Sequence, residues 1–220
     1  MSEKRKKEPW PTKAVMNQIY EKKLWGGEAT SDFYSGMGSH ALDVVEPYII
    51  EVTTFLNSFN KKLIVCDLGC GDFNVGKQLV QHTQKYIGID IVPALIERNR
   101  ELFKDDNLEF YCLDVCKDVL PIGDCVIVRQ VIQHLSNAEI NNLLQKLKNY
   151  KYFILTEHLP LKNYVANIDI ITGQGIRLKK NSGVDILKPP FSMQTKLLKN
   201  LGAVRYDHNS GIFTKIYQNF

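Results

Sequence analysis

Between residues 63 and 159 the chain carries five short apolar runs: LIVCDLG (63–69), YIGIDI (86–91), LEFYCLDV (108–115), CVIVRQV (125–131) and YFILTEHL (152–159). Runs of this length, apolar almost throughout, read as strands buried on both faces. Three intervening segments read as helices. One is 74–83. A second runs from Pro93 to about Phe103, with the proline suited to a first helical turn. The third is 136–149, where Ser136 and Glu139 have the spacing of a capping box. Strands separated by helices predict a parallel sheet covered on both faces. In such sheets ligands bind outside the carboxyl ends of the strands.

The flanks extend this frame. Residues 12–24 and 41–57 read as helices, with Thr12 as the N-cap of the first and Pro47 breaking or kinking the second. Between them WGGEATSDFYSGMGSH reads as a loop. Residues 160–190, with Gly173, Gly175, Gly183 and Pro189-Pro190, break the alternation and read as an insertion. A helix is expected from Phe191 to Leu201, closed by Gly202, with KPPF (188–191) at its start. AVRYDHN and IFTKIYQ, on either side of Asn-Ser-Gly, predict a terminal β-hairpin. The expected organisation is a basic tail (1–13), N-terminal helices with a covering loop (14–57), and a core (58–220) bearing the 160–190 insertion.

Composition excludes several classes. With 44% hydrophobic and 24% charged residues, the chain is neither a disordered tail nor a disulfide miniprotein. No apolar run approaches the roughly 20 residues of a membrane span, and the start lacks the apolar stretch of a signal peptide. A cytoplasmic protein is expected. The net charge of +4 is unevenly spread: +3 over residues 1–13, −5 over 14–176 and +5 over 177–199. The five cysteines include two C-x-x-x-C pairs, Cys66/Cys70 and Cys112/Cys116. That is not a usual zinc spacing, and reduced structural thiols with no metal are expected.

The first strand runs directly into D-L-G-C-G-D (67–72). Two glycines let the backbone turn tightly and approach a ligand. A second strand ends in Asp90, where an acidic residue can hold ribose hydroxyls. These features predict a nucleoside-containing ligand. The G-x-G-x-x-G dinucleotide fingerprint is incomplete, because its third position is Asn74. Asp67 and Asp72 beside the loop would repel a pyrophosphate and suit a cation such as an α-amino group or a sulfonium.

Taken in order, VCDLGCGD, YIGIDIV, FYCLDV and VIVRQVIQHL resemble the successive motifs of class I S-adenosylmethionine-dependent methyltransferases over roughly residues 60–160. The resemblance implies an α/β, Rossmann-like three-layer sandwich. Its seven-stranded, mostly parallel sheet has one antiparallel strand in the C-terminal hairpin. It implies S-adenosyl-L-methionine as cofactor and S-adenosyl-L-homocysteine as product. Asp67, Gly69, Cys70, Gly71 and Asp72 would surround the methionine part. Asp90 would bind the ribose, with Ile91 flanking the adenine; Asp114 would take the adenine amino group, with Val115 offering its backbone N–H. Arg129 would contact the cofactor, although arginine is unusual beside a sulfonium.

Methyl transfer is an in-line displacement that mostly needs alignment, and a hydroxyl acceptor also needs a base. His134 and the pair Glu157-His158 are the candidates; His40, His82 and His208 read as surface or turn residues. The chain has Arg129-Gln130-Val131-Ile132 where nucleobase amino methyltransferases carry N/D-P-P-Y/F, and it lacks a Pro-Cys nucleophile. The expected acceptor is therefore a small molecule, methylated on O or N without a metal. Trp25, Phe33, Tyr34 and the SGMGSH loop would close over the cofactor. Arg177, Lys179 and Lys180 would meet an anionic group on the acceptor. An RNA methyltransferase using the basic segments ranks lower, for want of an RNA-binding module. A catalytically silent cofactor-binding module is the rival from another class.

Overall fold

A computed structural model describes residues 9–28 and 32–220; the rest of the basic tail lies outside the described residues. Helices α1 (Thr12–Glu21) and α2 (Leu42–Asn57) precede β1 (Ile64–Leu68), β2 (Lys85–Asp90), α3 (Pro93–Leu102), β3 (Leu108–Cys112) and β4 (Cys125–Arg129). Then come α4 (Asn137–Leu147), β5 (Tyr152–Pro160), the two-residue strands β6 (Val165–Ala166) and β7 (Ser182–Gly183), β8 (Lys196–Arg205) and β9 (Ser210–Gln218). The seven-stranded sheet has the order β3-β2-β1-β4-β5-β9-β8. Strands β1 to β5 are mutually parallel, and β9 is antiparallel to both its neighbours.

Alternate residues of the buried strands feed two cores. Cys66 and Leu68, with Val126, Val128, Phe153 and Leu155, pack against α1, α4 and the insertion. Val65, Ile127 and Ile154 pack against α2 and the segment around Phe73 and Leu79. The sheet is therefore buried on both faces, which is why its strands read as continuous apolar runs. Ser136 caps α4, and its hydroxyl and the Glu139 carboxylate form the expected reciprocal box.

Five local expectations are corrected. Residue 12 is the first helical residue of α1, not its cap; the Thr12 hydroxyl hydrogen-bonds the Glu139 carboxylate instead. Helix α2 continues unbroken through Pro47, its sixth residue, which removes one backbone donor from the ladder without ending the helix. Residues 74–83 form two short 3₁₀ turns. Phe73 adopts φ +65° and is fully buried against Tyr86, Phe103 and Phe110. Gly76 lies so close that a Cβ there would stand 2.4 Å from the Phe73 ring, so the chain is pinned before a helix can start. KPPF is a turn closed by the Phe191 amide on the Lys188 carbonyl (3.1 Å). The helix expected over 191–201 is replaced by β8, because pairing along β9 supplies backbone partners that outweigh a weak helical pattern.

The insertion is anchored by Arg177. This side chain is only 2% exposed. Its Nε donates to the Ile168 carbonyl (2.9 Å), Nη1 to Gln133 O (3.2 Å), and Nη2 to Leu135 O (2.8 Å) and Asn137 Oδ1 (2.8 Å). Arg177 therefore fastens the insertion to the turn after β4 and does not present its charge to an acceptor. Lys180 is exposed, and its ammonium donates to the Asp169 carbonyl (3.0 Å). The substrate-binding role expected of Arg177 is therefore not what its side chain does, while Lys180 stands at the surface outside the residues that line the cavity described below. Arg177→Met should cost about 3–5 kcal/mol, because it strands several buried carbonyls. Urea denaturation checks this, and a loss below about 1 kcal/mol would contradict the anchor.

Candidate functional site

A cavity of about 410 Å³ opens at the carboxyl ends of β1, β2, β4 and β5. That is within the roughly 300–1,000 Å³ of small-ligand sites. Its floor is the glycine turn after β1. Gly69 and Gly71 have φ +78° and +55°, a region that disfavours any side chain. The amides of Gly69 and Cys70 donate to the Ile89 carbonyl (2.7 and 2.9 Å), and the Gly71 amide to the Asp90 carboxylate (3.1 Å).

Asp90 ends β2 in the cavity wall, and its other oxygen accepts the Val92 amide (3.1 Å). Burial pushes its carboxyl up to about 6, against the lowering effect of those N–H groups. Asp114 also lines the wall; its carboxylate accepts the Cys116 amide (2.9 Å) and lies 3.3 Å from the Lys117 ammonium. Ile91, Leu113 and Val115 give the apolar surface between and beside these acids. Trp25 closes the cavity from the N-terminal side, its ring 5.1 Å from that of His134, and its indole N–H has no partner.

Three residues expected around a ligand face elsewhere. Asp67 is buried beneath the glycine turn, where it accepts the Tyr86 hydroxyl (2.8 Å); burial pushes its carboxyl up to about 6. Cys70 turns its thiol toward the Gly71 carbonyl, and burial pushes that thiol well above its usual range. The Asp72 carboxylate accepts the Ser35 amide (2.8 Å) and contacts His40 Nε2 (2.6 Å), while the Asp72 amide donates to the Ser35 hydroxyl (2.8 Å). Asp72 is thus a latch for the loop that covers the cavity. His40 is its partner, with the Tyr34 ring stacked at 4.3 Å, and not an isolated surface residue. Phe33 packs against the core beside Tyr20.

The candidate bases separate in the same way. The Nδ1 of His134 faces the Gly173 carbonyl (3.2 Å), so that nitrogen carries the proton. Its Nε2 then accepts from the Gln133 amide (3.2 Å). Burial pushes this ring down to about 4, so it stays neutral and both nitrogens are occupied. Glu157 is buried within β5 away from the cavity wall; neither carboxylate oxygen has a hydrogen-bond partner, and burial holds its carboxyl well above the usual range. Neither residue is presented as a base. His158 does line the cavity; its Nε2 contacts the Ser210 hydroxyl (2.9 Å), and burial lowers its pKa.

Other lining residues carried no sequence signal. Gln130 adopts φ +57° directly after β4, with its amide on the Thr156 carbonyl (2.7 Å). Tyr206 reaches the cavity from the hairpin. The SGMGSH loop does cover the cavity, through Ser35, Gly36, Met37, Gly38 and Ser39. Removing its latch by Asp72→Ala should speed amide exchange at Ser35 by about tenfold or more, given the two charge-assisted bonds lost. Hydrogen–deuterium exchange checks this, and unchanged protection would show that the loop is held by other contacts.

Residues 65–150 match the family model described as a methyltransferase domain. Over 93 residues the chain is 33% identical to malonyl-[acyl-carrier protein] O-methyltransferase of Acetivibrio thermocellus, a match covering 40% of this chain and 33% of that protein. The chain thus spans about a third of the length of that curated relative. Its fold is similar to N-methyltransferase NodS from Bradyrhizobium japonicum WM9 in complex with S-adenosyl-L-homocysteine. That match has a TM-score of 0.68 at 10% identity and covers 93% of this chain and 98% of that one. Human N-acetylserotonin methyltransferase, in complex with S-adenosylmethionine, gives a TM-score of 0.58 at 16% identity over 96% of this chain and 60% of that one. Residues 65–150, which hold the glycine turn and strands β1 to β4, are thus similar to a methyltransferase domain, and the fold of the chain is similar to that of these solved structures.

Proposed function

We propose that the protein transfers a methyl group from S-adenosyl-L-methionine to an oxygen or nitrogen of a small acceptor, releasing S-adenosyl-L-homocysteine. The observation that carries this reading is the arrangement of Asp90 and Asp114 on successive strand ends beside the Gly69–Gly71 turn, all in one cavity wall. The residues present fit the cofactor. Asp90 has acceptor capacity left for ribose hydroxyls after its two backbone bonds. Ile91, Leu113 and Val115 suit a flat adenine, with Asp114 at its polar edge. The unpartnered indole N–H of Trp25 is a buried donor left for a ligand.

When bound, the cofactor supplies a methyl group already activated on a sulfonium. The protein's share is alignment and exclusion of water. The loop latched by Asp72 covers the reacting centre, and Trp25 with His134 walls it from the insertion side. His158 is the cavity-lining imidazole able to take a proton from a hydroxyl or ammonium acceptor, since burial keeps it neutral at neutral pH. No helix among the described residues is long and apolar enough to cross a membrane.

Incubation with tritiated methyl donor tests the reading against pooled small metabolites and RNA. Label is expected in the small-molecule fraction and should fall by about a hundredfold in Asp90→Ala, which removes the charged hydrogen bonds to the ribose. Label confined to RNA would overturn the small-molecule reading, and tight cofactor binding without transfer to either pool would favour a silent module. Cofactor affinity should also depend on pH. The ribose hydroxyls donate to ionised Asp90, whose carboxyl sits at about 6. S-Adenosylhomocysteine binding, measured by equilibrium dialysis, should therefore weaken as the pH is lowered through about 6, whereas an affinity flat from pH 7.5 to 5 would contradict the role of Asp90.

A further inference from the structure

We infer that the acceptor presents a carboxylate to Arg129, so that the product of methyl transfer is a methyl ester. This rests on the methyl-transfer reading above and names its substrate class. Arg129 is the last residue of β4, only 9% exposed, and lines the cavity. Among the described residues no carboxylate lies within ion-pairing distance of its guanidinium. Its Nη2 donates to the Gly38 carbonyl, Nη1 to the Ser39 hydroxyl (3.2 Å), and the Tyr48 ring lies 4.9 Å beneath. Its Nε has no partner. The nearby acid, Asp67, is bonded to Tyr86. The charge of Asp67 acts on Arg129 from beneath the turn, but every hydrogen bond of the guanidinium goes to a neutral group, and its unpartnered Nε leaves it able to take up an anion.

Position gives this charge its meaning. Asp90 and Asp114 place the acidic groups at the β2 and β3 end of the cavity. Arg129 stands at the β4 and β5 end. It pairs in register with Thr156, two residues before His158, on the same face of adjacent strands. Gln130, Met37 and Tyr206 complete that end. A guanidinium near a sulfonium is repulsive unless an anion lies between them. A carboxylate there satisfies both cations, and the planar fork of arginine matches its two oxygens.

The step balances without a base. A carboxylate oxygen lone pair forms the O–CH₃ bond as the S–CH₃ bond breaks, and that bond's electron pair goes to sulfur. No proton leaves. Glu157, which stands off the wall, and His134, with both nitrogens occupied, are not called on, and His158 lines the cavity with no proton to take from a carboxylate.

The test offers tritiated methyl donor with a pool of aliphatic and aromatic carboxylic acids, and separately with the matching amides, phenols and amines. Label is expected from the acid pool and should be released as volatile methanol by mild alkali. Alkali-stable label, or label from the other pool, overturns the carboxylate while leaving methyl transfer standing. No label from any pool, with S-adenosylhomocysteine bound, overturns the methyl-transfer reading and this inference with it. With a labelled acid in hand, Arg129→Gln should raise its KM about tenfold or more, leaving the Kd of S-adenosylhomocysteine within about twofold, and Arg129→Lys should recover part of the loss. The converse split, with cofactor affinity lost and acceptor KM unchanged, would assign Arg129 to the cofactor's own carboxylate and overturn the inference.

Discussion

The turn at Gly69–Gly71 is the junction on which the site depends. Its amides donate to the Ile89 carbonyl and the Asp90 carboxylate, so the end of β1 is tied to the end of β2. Neither glycine of this turn has room for a side chain. A Cβ at Gly69 would stand 2.4 Å from Val131 Cγ2, and one at Gly71 would stand 2.3 Å from the Ser35 hydroxyl. Three elements therefore converge on two residues: β2, the segment after β4, and the covering loop. Their close approach sets the floor, one wall and the roof of the cavity together.

Around this junction the acidic residues divide by direction. Asp90 and Asp114 face the cavity, while Asp67 and Asp72 face protein. Asp67 sits under the turn with Tyr86, and Asp72 fastens the covering loop through Ser35 and His40. All four stand at strand ends or in the turn, and Asp67 and Asp72, beside the glycines, were the two expected to attract a cationic ligand. Burial and hydrogen bonding decide otherwise for two. The positive side chains divide likewise. Arg177, in the basic insertion, is consumed by backbone carbonyls, whereas Arg129, at the end of an apolar strand, carries its charge to the cavity.

The sheet was legible because its strands are buried on both faces, and continuous apolar runs leave little choice of period. All five parallel strands fall within the expected runs or within one residue of them. Ser136 and Glu139 were legible because a capping box is local chemistry. Tertiary contacts overrode local pattern elsewhere. Residues 74–83 yield to the packing of Phe73 on three rings, and 196–205 yields to pairing with β9. The lining role of Gln130 and Tyr206 depends on a positive φ and on the reach of a hairpin, neither of which is written in residue type.

The central claim is that the wall formed by the glycine turn, Asp90 and Asp114 binds the adenosyl cofactor of methyl transfer. Calorimetric titration of the protein with S-adenosylhomocysteine and, separately, with NAD tests it most directly. The account predicts saturable heat with S-adenosylhomocysteine and none with NAD. Saturable binding of NAD, with S-adenosylhomocysteine silent, would contradict it.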